Sequence, residues 1–275
     1  MNTSIKNHPI YGECLFADNG IIEIGIPLKF GIRIGHFSFV GEGNVFFEHP
    51  NDMSDFTSEE GWRHHGGHRL WIAPETEADY YPDNEPIEYR IEGDKIIVQQ
   101  CEDPWQKALK TIEIEFDGPC LRLLHRVVNT ADEPRECGLW SISTLAPGGV
   151  QYIDLELRDG GMDPWVRLCA WDYTSYGDPR LKCQRDLIAL THLPMEERLK
   201  IGVGHPISPV RYELGDTVFL KHFTVDRSKI YPDSNVSYET FFSKYMLEME
   251  SLSPLGVINK GEAMEHREVL ELRRK

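Results

Sequence analysis

Residues 62–75 read Trp-Arg-His-His-Gly-Gly-His-Arg-Leu-Trp-Ile-Ala-Pro-Glu. Three histidines, two arginines, two tryptophans and a carboxylate fall within fourteen positions. Trp62 and Trp71 offer flat apolar faces, and the imidazoles and guanidinium groups offer directed hydrogen bonds. Flat faces beside many donors suit a polyhydroxylated ligand such as a sugar. Gly66 and Gly67 let the backbone take positive φ or approach a ligand closely. Histidine clusters also bind metal, but His64, His65 and His68 would converge only on a helix, which adjacent glycines oppose. No metal and no cofactor are expected. No long apolar run surrounds the stretch, so it reads as a loop between strands. A solvated surface loop is the plain alternative.

The elements that would hold such a loop are strands. From Ile22 to Ile34 every even position is apolar, the period of half-buried strands, with Pro27 and Gly31 marking a break. Short strand-like runs follow at 45–47, 89–91, 95–100, 111–116, 121–129 and 138–145. Others fall at 151–158, 165–171, 187–193, 199–203, 210–214 and 218–225, and a last long region spans 239–251. Residues 262–272 have the composition of a helix, but their acids and arginines also fit a final edge strand, which is the reading taken. Turns are expected at Glu92-Gly93-Asp94, Pro147-Gly148-Gly149, Asp159-Gly160-Gly161 and Tyr231-Pro232-Asp233. Residues 51–60 and 76–86 are polar and irregular. Fifteen or so short strands and no helical periodicity predict a large all-β sandwich of antiparallel sheets, one domain over residues 1–275.

Composition narrows the partners. A formal net charge of −16 disfavours nucleic acid and anionic membranes. The polar first twelve residues lack the apolar centre of a signal peptide, and no segment is long enough to cross a bilayer as a helix. Six cysteines without a CxxC pair read as reduced, mostly buried thiols, and a cytoplasmic location is expected.

His65-Gly66-Gly67 with Trp71 resembles the HGG…W loop of the galactose mutarotase (aldose 1-epimerase) superfamily. A longer resemblance, to a poorly characterised branch, runs through residues 66–75, then Asn129 and Gly138-Leu139-Trp140-Ser141. It continues through Asp178-Pro179-Arg180, Tyr231-Pro232-Asp233, residues 247–255 and Lys260-Gly261-Glu262. The resemblance implies a supersandwich of long antiparallel sheets with a sugar site on one concave face. It implies Glu250 as general base, with Glu248 two residues earlier on the same strand face. It maps the sugar-contacting histidine onto His65. The superfamily's second, catalytic histidine has no counterpart in Leu139-Trp140-Ser141-Ile142-Ser143, which leaves His68 and His125 as candidates for the general acid.

The remaining candidates have two readings each. Trp140 is a stacking platform or a core side chain. Arg180 reaches a ligand or closes a surface ion pair. Glu75 contacts a ligand or caps the loop. His125 reads as a satisfied core histidine before a general acid, and Lys221 as solvent-facing before site-facing. The substrate-binding set is therefore His65, His68, Arg69, Trp71, Glu75, Trp140, Arg180 and Glu248, with Glu250 catalytic. The expected partner is a small sugar, and the expected activity is isomerisation of the aldose 1-epimerase type. A non-catalytic sugar-binding protein is one alternative. The other is a lyase or hydrolase acting on an acidic sugar held by Arg63 or Arg180.

Overall fold

The alternating runs become strands because one face of each finds an apolar partner. In Cys120–Asn129, Leu121, Leu123 and Val127 are buried while Arg122 is exposed. In Ala108–Asp117, Ile112 and Ile114 do the same. The computed structural model describes residues 1–82, 84–158, 161–162 and 164–275. Strand accounts for 53% of the chain and helix for 3%, so the fold is all-β. The turn expected at Asp159-Gly160-Gly161 lies partly outside the described residues.

Two large antiparallel sheets face one another. The first runs, in spatial order, Leu181–Cys183, Leu187–Thr191, Val150–Asp154, Ile207–Leu214, Thr217–Phe223, Ala263–Arg274, Cys120–Asn129, Ala108–Asp117, Lys95–Gln99 and Glu88–Glu92. The second runs Arg167–Ala170, Leu199–Gly204, Tyr238–Phe242, Leu247–Leu252, Arg135–Leu145, Gly67–Ala73 and Arg33–Ile34, with Gly256–Ile258 paired to Arg135–Leu145. A smaller sheet of Asn2–His8, Gly12–Asp18, Ile22–Pro27 and His36–Phe39 adds Ile22, Ile24 and Phe37 to the common core. That core lies between the large sheets, where Leu139, Ile201 and Met249 meet Ile112, Leu121 and Leu270.

Several local expectations need correction. Gly67–Ala73 is a central strand, not loop, and all seven residues are buried. His68, Leu70 and Ile72 turn inward while Arg69 and Trp71 turn outward. Polar side chains therefore sit on both faces, and no apolar alternation betrays the strand. Gly66 and Gly67 have φ of 81° and 74°, and a Cβ at either would run into the carbonyl oxygen of Phe47 or Ile34. Residues 239–251 are two strands, Tyr238–Phe242 and Leu247–Leu252, turned by the Ser243 N–H bond to the Met246 carbonyl. Ala263–Arg274 is a strand, but a central one, because its acids and histidines find buried partners. Asn2–His8 and Gly12–Asp18 were not legible as strands, and residues 45–47 make only isolated bridges. The cysteines are free, but only Cys14 and Cys137 are buried.

A polar network crosses the space between the sheets. Glu268 takes Ser141 Oγ at 2.7 Å and Ser251 Oγ at 2.8 Å, and Lys221 Nζ lies 2.9 Å from it. Lys221, which reads as solvent-facing in sequence, is fully buried. His68 and His125 meet Nε2 to Nε2 at 2.8 Å. His125 Nδ1 faces the His266 carbonyl, so it carries the proton, and the shared Nε2 proton belongs to His68. Ser143 Oγ, 2.9 Å away, then gives its proton to His68 Nδ1. His68, His125 and Glu268 have ligand-like spacing. Protons close the network, and the Lys221 ammonium already supplies the cation that Glu268 needs.

These imidazoles are held neutral. Burial above all pushes His64, His125 and His266 down to about 4, and His68 well below its usual range. His36 falls to about 4 and His65 to about 2 for the same reason. The unfolded chain protonates its histidines near pH 6.5 and the native state refuses those protons, so native stability is lost as pH falls from there towards 4. The raised carboxyls Asp79, Glu239 and Glu250 act in the opposite sense, but these three oppose the six imidazoles just named. The unfolding free energy measured in urea should drop between pH 7 and pH 5, by on the order of 1–5 kcal/mol per pH unit, and the midpoint should drop with it. A midpoint that holds or rises over that range contradicts this account.

Candidate functional site

Met249 and Leu247 turn into the core, so Glu248 and Glu250 project from the opposite, outer face of the Leu247–Leu252 strand. Register decides what surrounds them. Ile142 stands opposite both Glu250 and Arg69, and Trp140 stands opposite Trp71. On the other side Glu239 is directly opposite Glu250, and the next strand brings Lys200 opposite Phe241. The outer face thus carries three glutamates, one arginine, one lysine and two tryptophans on five adjoining strands.

The two strand-mates have opposite electrostatics. Glu248 Oε1 lies 3.0 Å from Arg69 Nη1 and 2.9 Å from His64 Nε2, and it accepts Thr144 Oγ1 at 3.2 Å. Burial alone would raise its carboxyl, but Arg69 and the His64 N–H outweigh it and hold Glu248 well below the usual carboxylate range. Gly66 N–H donates to His64 Nδ1 at 3.1 Å, which fixes the proton on Nε2. Glu248 is therefore an anchored anion. Glu250 accepts the Trp140 indole N–H at 2.8 Å and sits 3.3 Å from Lys200 Nζ. Burial dominates there. Lys200 opposes it, Glu248 adds repulsion, and the carboxyl is pushed up to about 7. Its Oε1 has no hydrogen-bond partner among the described residues.

Lys200 is enclosed. Its ammonium lies 2.9 Å from Glu239, 4.4 Å from the Trp140 ring centre and 4.6 Å from that of Trp171. Burial would lower it, but Glu250 and Glu239 raise it above the ordinary lysine range. Trp71 packs edge-on against Trp140 and Tyr80, with ring centres 5.6 and 5.4 Å apart, and Arg69 lies 4.6 Å over Trp71. Glu75 accepts the Tyr80 hydroxyl at the exposed rim. Tyr173, half exposed, senses Lys200 and Glu250 electrostatically. A cavity of about 410 Å³ opens beside it, lined by Cys169, Trp171, Asp172, Tyr173, Asp233 and Ser234.

The structure brings together Glu248, Glu250, Arg69, Trp71 and Trp140, with Glu75 at the margin. It does not bring His65, His68 or Arg180 to them. His65 stacks on Phe30 with ring centres 4.0 Å apart, and its carbonyl accepts the Tyr11 hydroxyl. Its neighbour His64 is the histidine that touches a site carboxylate. His68 and His125 lie on the inner side of the sheet, so neither reaches Glu250. Arg180 is fully buried in a fork with Asp178 and bonds the Glu197 carbonyl. Arg63 is spent on His49 and two backbone carbonyls. Lys200 and Glu239 escaped the sequence reading, and His64 entered it only as a member of the histidine stretch. The usable signal was a charge inside an apolar strand: Lys200 sits between Leu199 and Ile201.

No family model and no curated protein sequence matches the chain. Solved structures do share its fold. A galactose mutarotase-like protein from Lactobacillus casei superposes with a TM-score of 0.62 at 9% identity, covering 94% of this chain and 100% of that one. A protein from Synechocystis gives 0.63 at 10% identity, over 100% and 96% of the two chains. A galactose mutarotase related enzyme from Lactobacillus acidophilus gives 0.58 at 11% identity, over 94% and 97%. The fold is therefore galactose mutarotase-like over essentially the whole chain. Identities this low speak for the fold alone.

Proposed function

We propose that the chain is a sugar-binding acid–base enzyme of the aldose 1-epimerase type, with Glu250 as its base. The observation that carries this reading is Glu250 itself: buried, poised near neutrality, and with one oxygen unpartnered beside an aromatic wall. A base works best when its pKa lies near the working pH. In this reaction the base takes the proton from the C1 hydroxyl, the ring C1–O5 bond opens, and reclosure on the other face inverts C1. The unpartnered acceptor favours a ligand that donates, as sugar hydroxyls do.

A neutral sugar fits better than an acidic one. Arg63 and Arg180 are committed elsewhere, while Arg69 and Lys200 already face carboxylates. The non-catalytic reading keeps one supporting observation: the outer positions of residues 140–144 are Trp140, Ile142 and Thr144, with no histidine. A cytoplasmic location is part of the proposal, and no described helix is long and apolar enough to cross a membrane.

The test is NMR exchange between α and β anomers across a panel of neutral, uronic and phosphorylated sugars. The expected result is acceleration over buffer for at least one neutral aldose. Binding without acceleration for any sugar would make it a lectin-like binder instead.

A further inference from the structure

The proposed reaction needs an acid as well as a base, and the outer face offers four groups beside Glu250. His64 is locked, accepting the Gly66 N–H and donating to Glu248. Lys200 is held as a cation by two carboxylates and two indole faces, which makes it a poor donor. Tyr173 stands half exposed at the mouth, and burial raises its phenol further from neutrality. Glu239 remains.

Glu239 is fully buried and stands directly across the strand pair from Glu250. Opposed residues on antiparallel strands have Cβ atoms about 4.5–5.5 Å apart. Glu239 Oε1 and Glu250 Oε1 both lack hydrogen-bond partners among the described residues, although both are sealed from solvent. A buried carboxylate oxygen without a donor is costly, and one proton between two carboxyls removes that cost. The charge count agrees. Lys200 compensates one carboxylate, so the second is carried at least cost as the acid.

Resting on the epimerase reading, we propose that Glu239 is the general acid of this site and shares one proton with Glu250. The step balances. Glu250 takes the proton from O1, the O1 electron pair forms the C1=O1 bond, and the C1–O5 bond breaks. The pair left on O5 takes the proton of Glu239. The open aldehyde turns about C1–C2 and the same transfers run backwards on closure. Glu239 thus replaces the histidine that the chain lacks.

The groups facing the pair are few. Lys200 and Glu248 lie on the same sheet face with Arg69, Tyr173 stands at the mouth, Asp233 approaches Glu239 from its loop, and Cys169 approaches it from the Arg167–Ala170 strand. Tyr238 and Lys221 reach Glu250 electrostatically from the inner side. Burial raises both carboxyls against the pull of Lys200, with Glu250 adding repulsion at Glu239 and Glu248 adding it at Glu250, and facing carboxyls this close titrate as a pair.

Two measurements test this. Infrared difference spectroscopy in H2O and D2O on the sugar-free protein at neutral pH should show a protonated carboxyl band that disappears in both Glu239→Gln and Glu250→Gln. This readout does not depend on turnover. Absence of the band in wild type, or its survival in either variant, overturns the shared proton. With a sugar that wild type interconverts, Glu239→Gln should lose about 10²–10⁴ in rate. It should keep sugar binding by calorimetry and a native circular dichroism spectrum, and it should lose the alkaline limb of the pH–rate profile. A variant that keeps both rate and alkaline limb removes Glu239 as the acid while leaving Glu250 as the base. A wild type without turnover refutes the epimerase reading instead, and the band alone then decides the proton sharing.

Discussion

Glu250→Gln should abolish most anomer interconversion while leaving the protein folded and able to bind sugar. The substitution keeps shape and keeps an acceptor for the Trp140 indole N–H at 2.8 Å, but it removes the lone pair that takes the proton. Loss of a general base costs about 10²–10⁴ in rate. Stability should move the other way. Glu250 is pushed up to about 7 in the native state against an ordinary value of 4.5, so the native chain holds that proton more tightly than the unfolded chain does. The stability tied to this group is present below the unfolded value and is lost as pH rises through about 7. Above neutrality the wild type therefore carries the cost of a buried, poorly paired charge, and Gln removes it. Glu250→Gln should be more stable at pH 8, by on the order of 1–3 kcal/mol. Polarimetry and urea unfolding measure the two effects separately. If Glu250→Gln is unimpaired and Glu248→Gln is dead, the base is Glu248. The geometry speaks against that, because Arg69 and His64 already occupy Glu248 Oε1.

Lys221→Met should be the most damaging single change outside the site. Lys221 Nζ lies 2.9 Å from Glu268 Oε2 and 3.1 Å from Ser143 Oγ, and neither charged side chain touches solvent. Removing one partner of a buried ion pair leaves the other charge uncompensated, at about 3–5 kcal/mol. Burial would raise Glu268, but Lys221 and then His68 hold it well below the usual carboxylate range. The pair's stability is therefore present above the unfolded carboxylate value and is lost as pH falls below it. The deficit of Lys221→Met should accordingly narrow in acid, where Glu268 takes a proton and no longer needs a cation. Adding Glu268→Gln should recover part of the loss, since contacting residues are not additive. Denaturant midpoints for the four proteins of this cycle decide it. A single-variant loss under about 1 kcal/mol would show that the serines alone satisfy Glu268.

Glu248 and Glu250 illustrate what a sequence reading can and cannot reach. Their spacing puts them on one strand face, and the resemblance to mutarotases singled out Glu250. Nothing in Leu247-Glu248-Met249-Glu250 tells them apart. The difference comes from neighbouring strands: Arg69 and His64 converge on one carboxylate, while Lys200, Trp140 and Glu239 surround the other. His64 and His65 make the same point within one dipeptide. At φ 57° His65 turns towards Phe30, and its neighbour points at Glu248.

The sequence by itself determined the all-β class, the antiparallel sandwich and most strand positions, because period-two burial is a local property of the chain. It also determined that Gly66 and Gly67 hold a special backbone. Only the tertiary structure decided which face each polar side chain serves. Gly67–Ala73 sends His68 into a network between the sheets and Arg69 into the site, and Lys221 into the core rather than solvent. Those outcomes depend on residues from 64 to 268 meeting across strand pairs. Burial and charge partners set pKa values, and both are properties of that assembly, not of any local stretch.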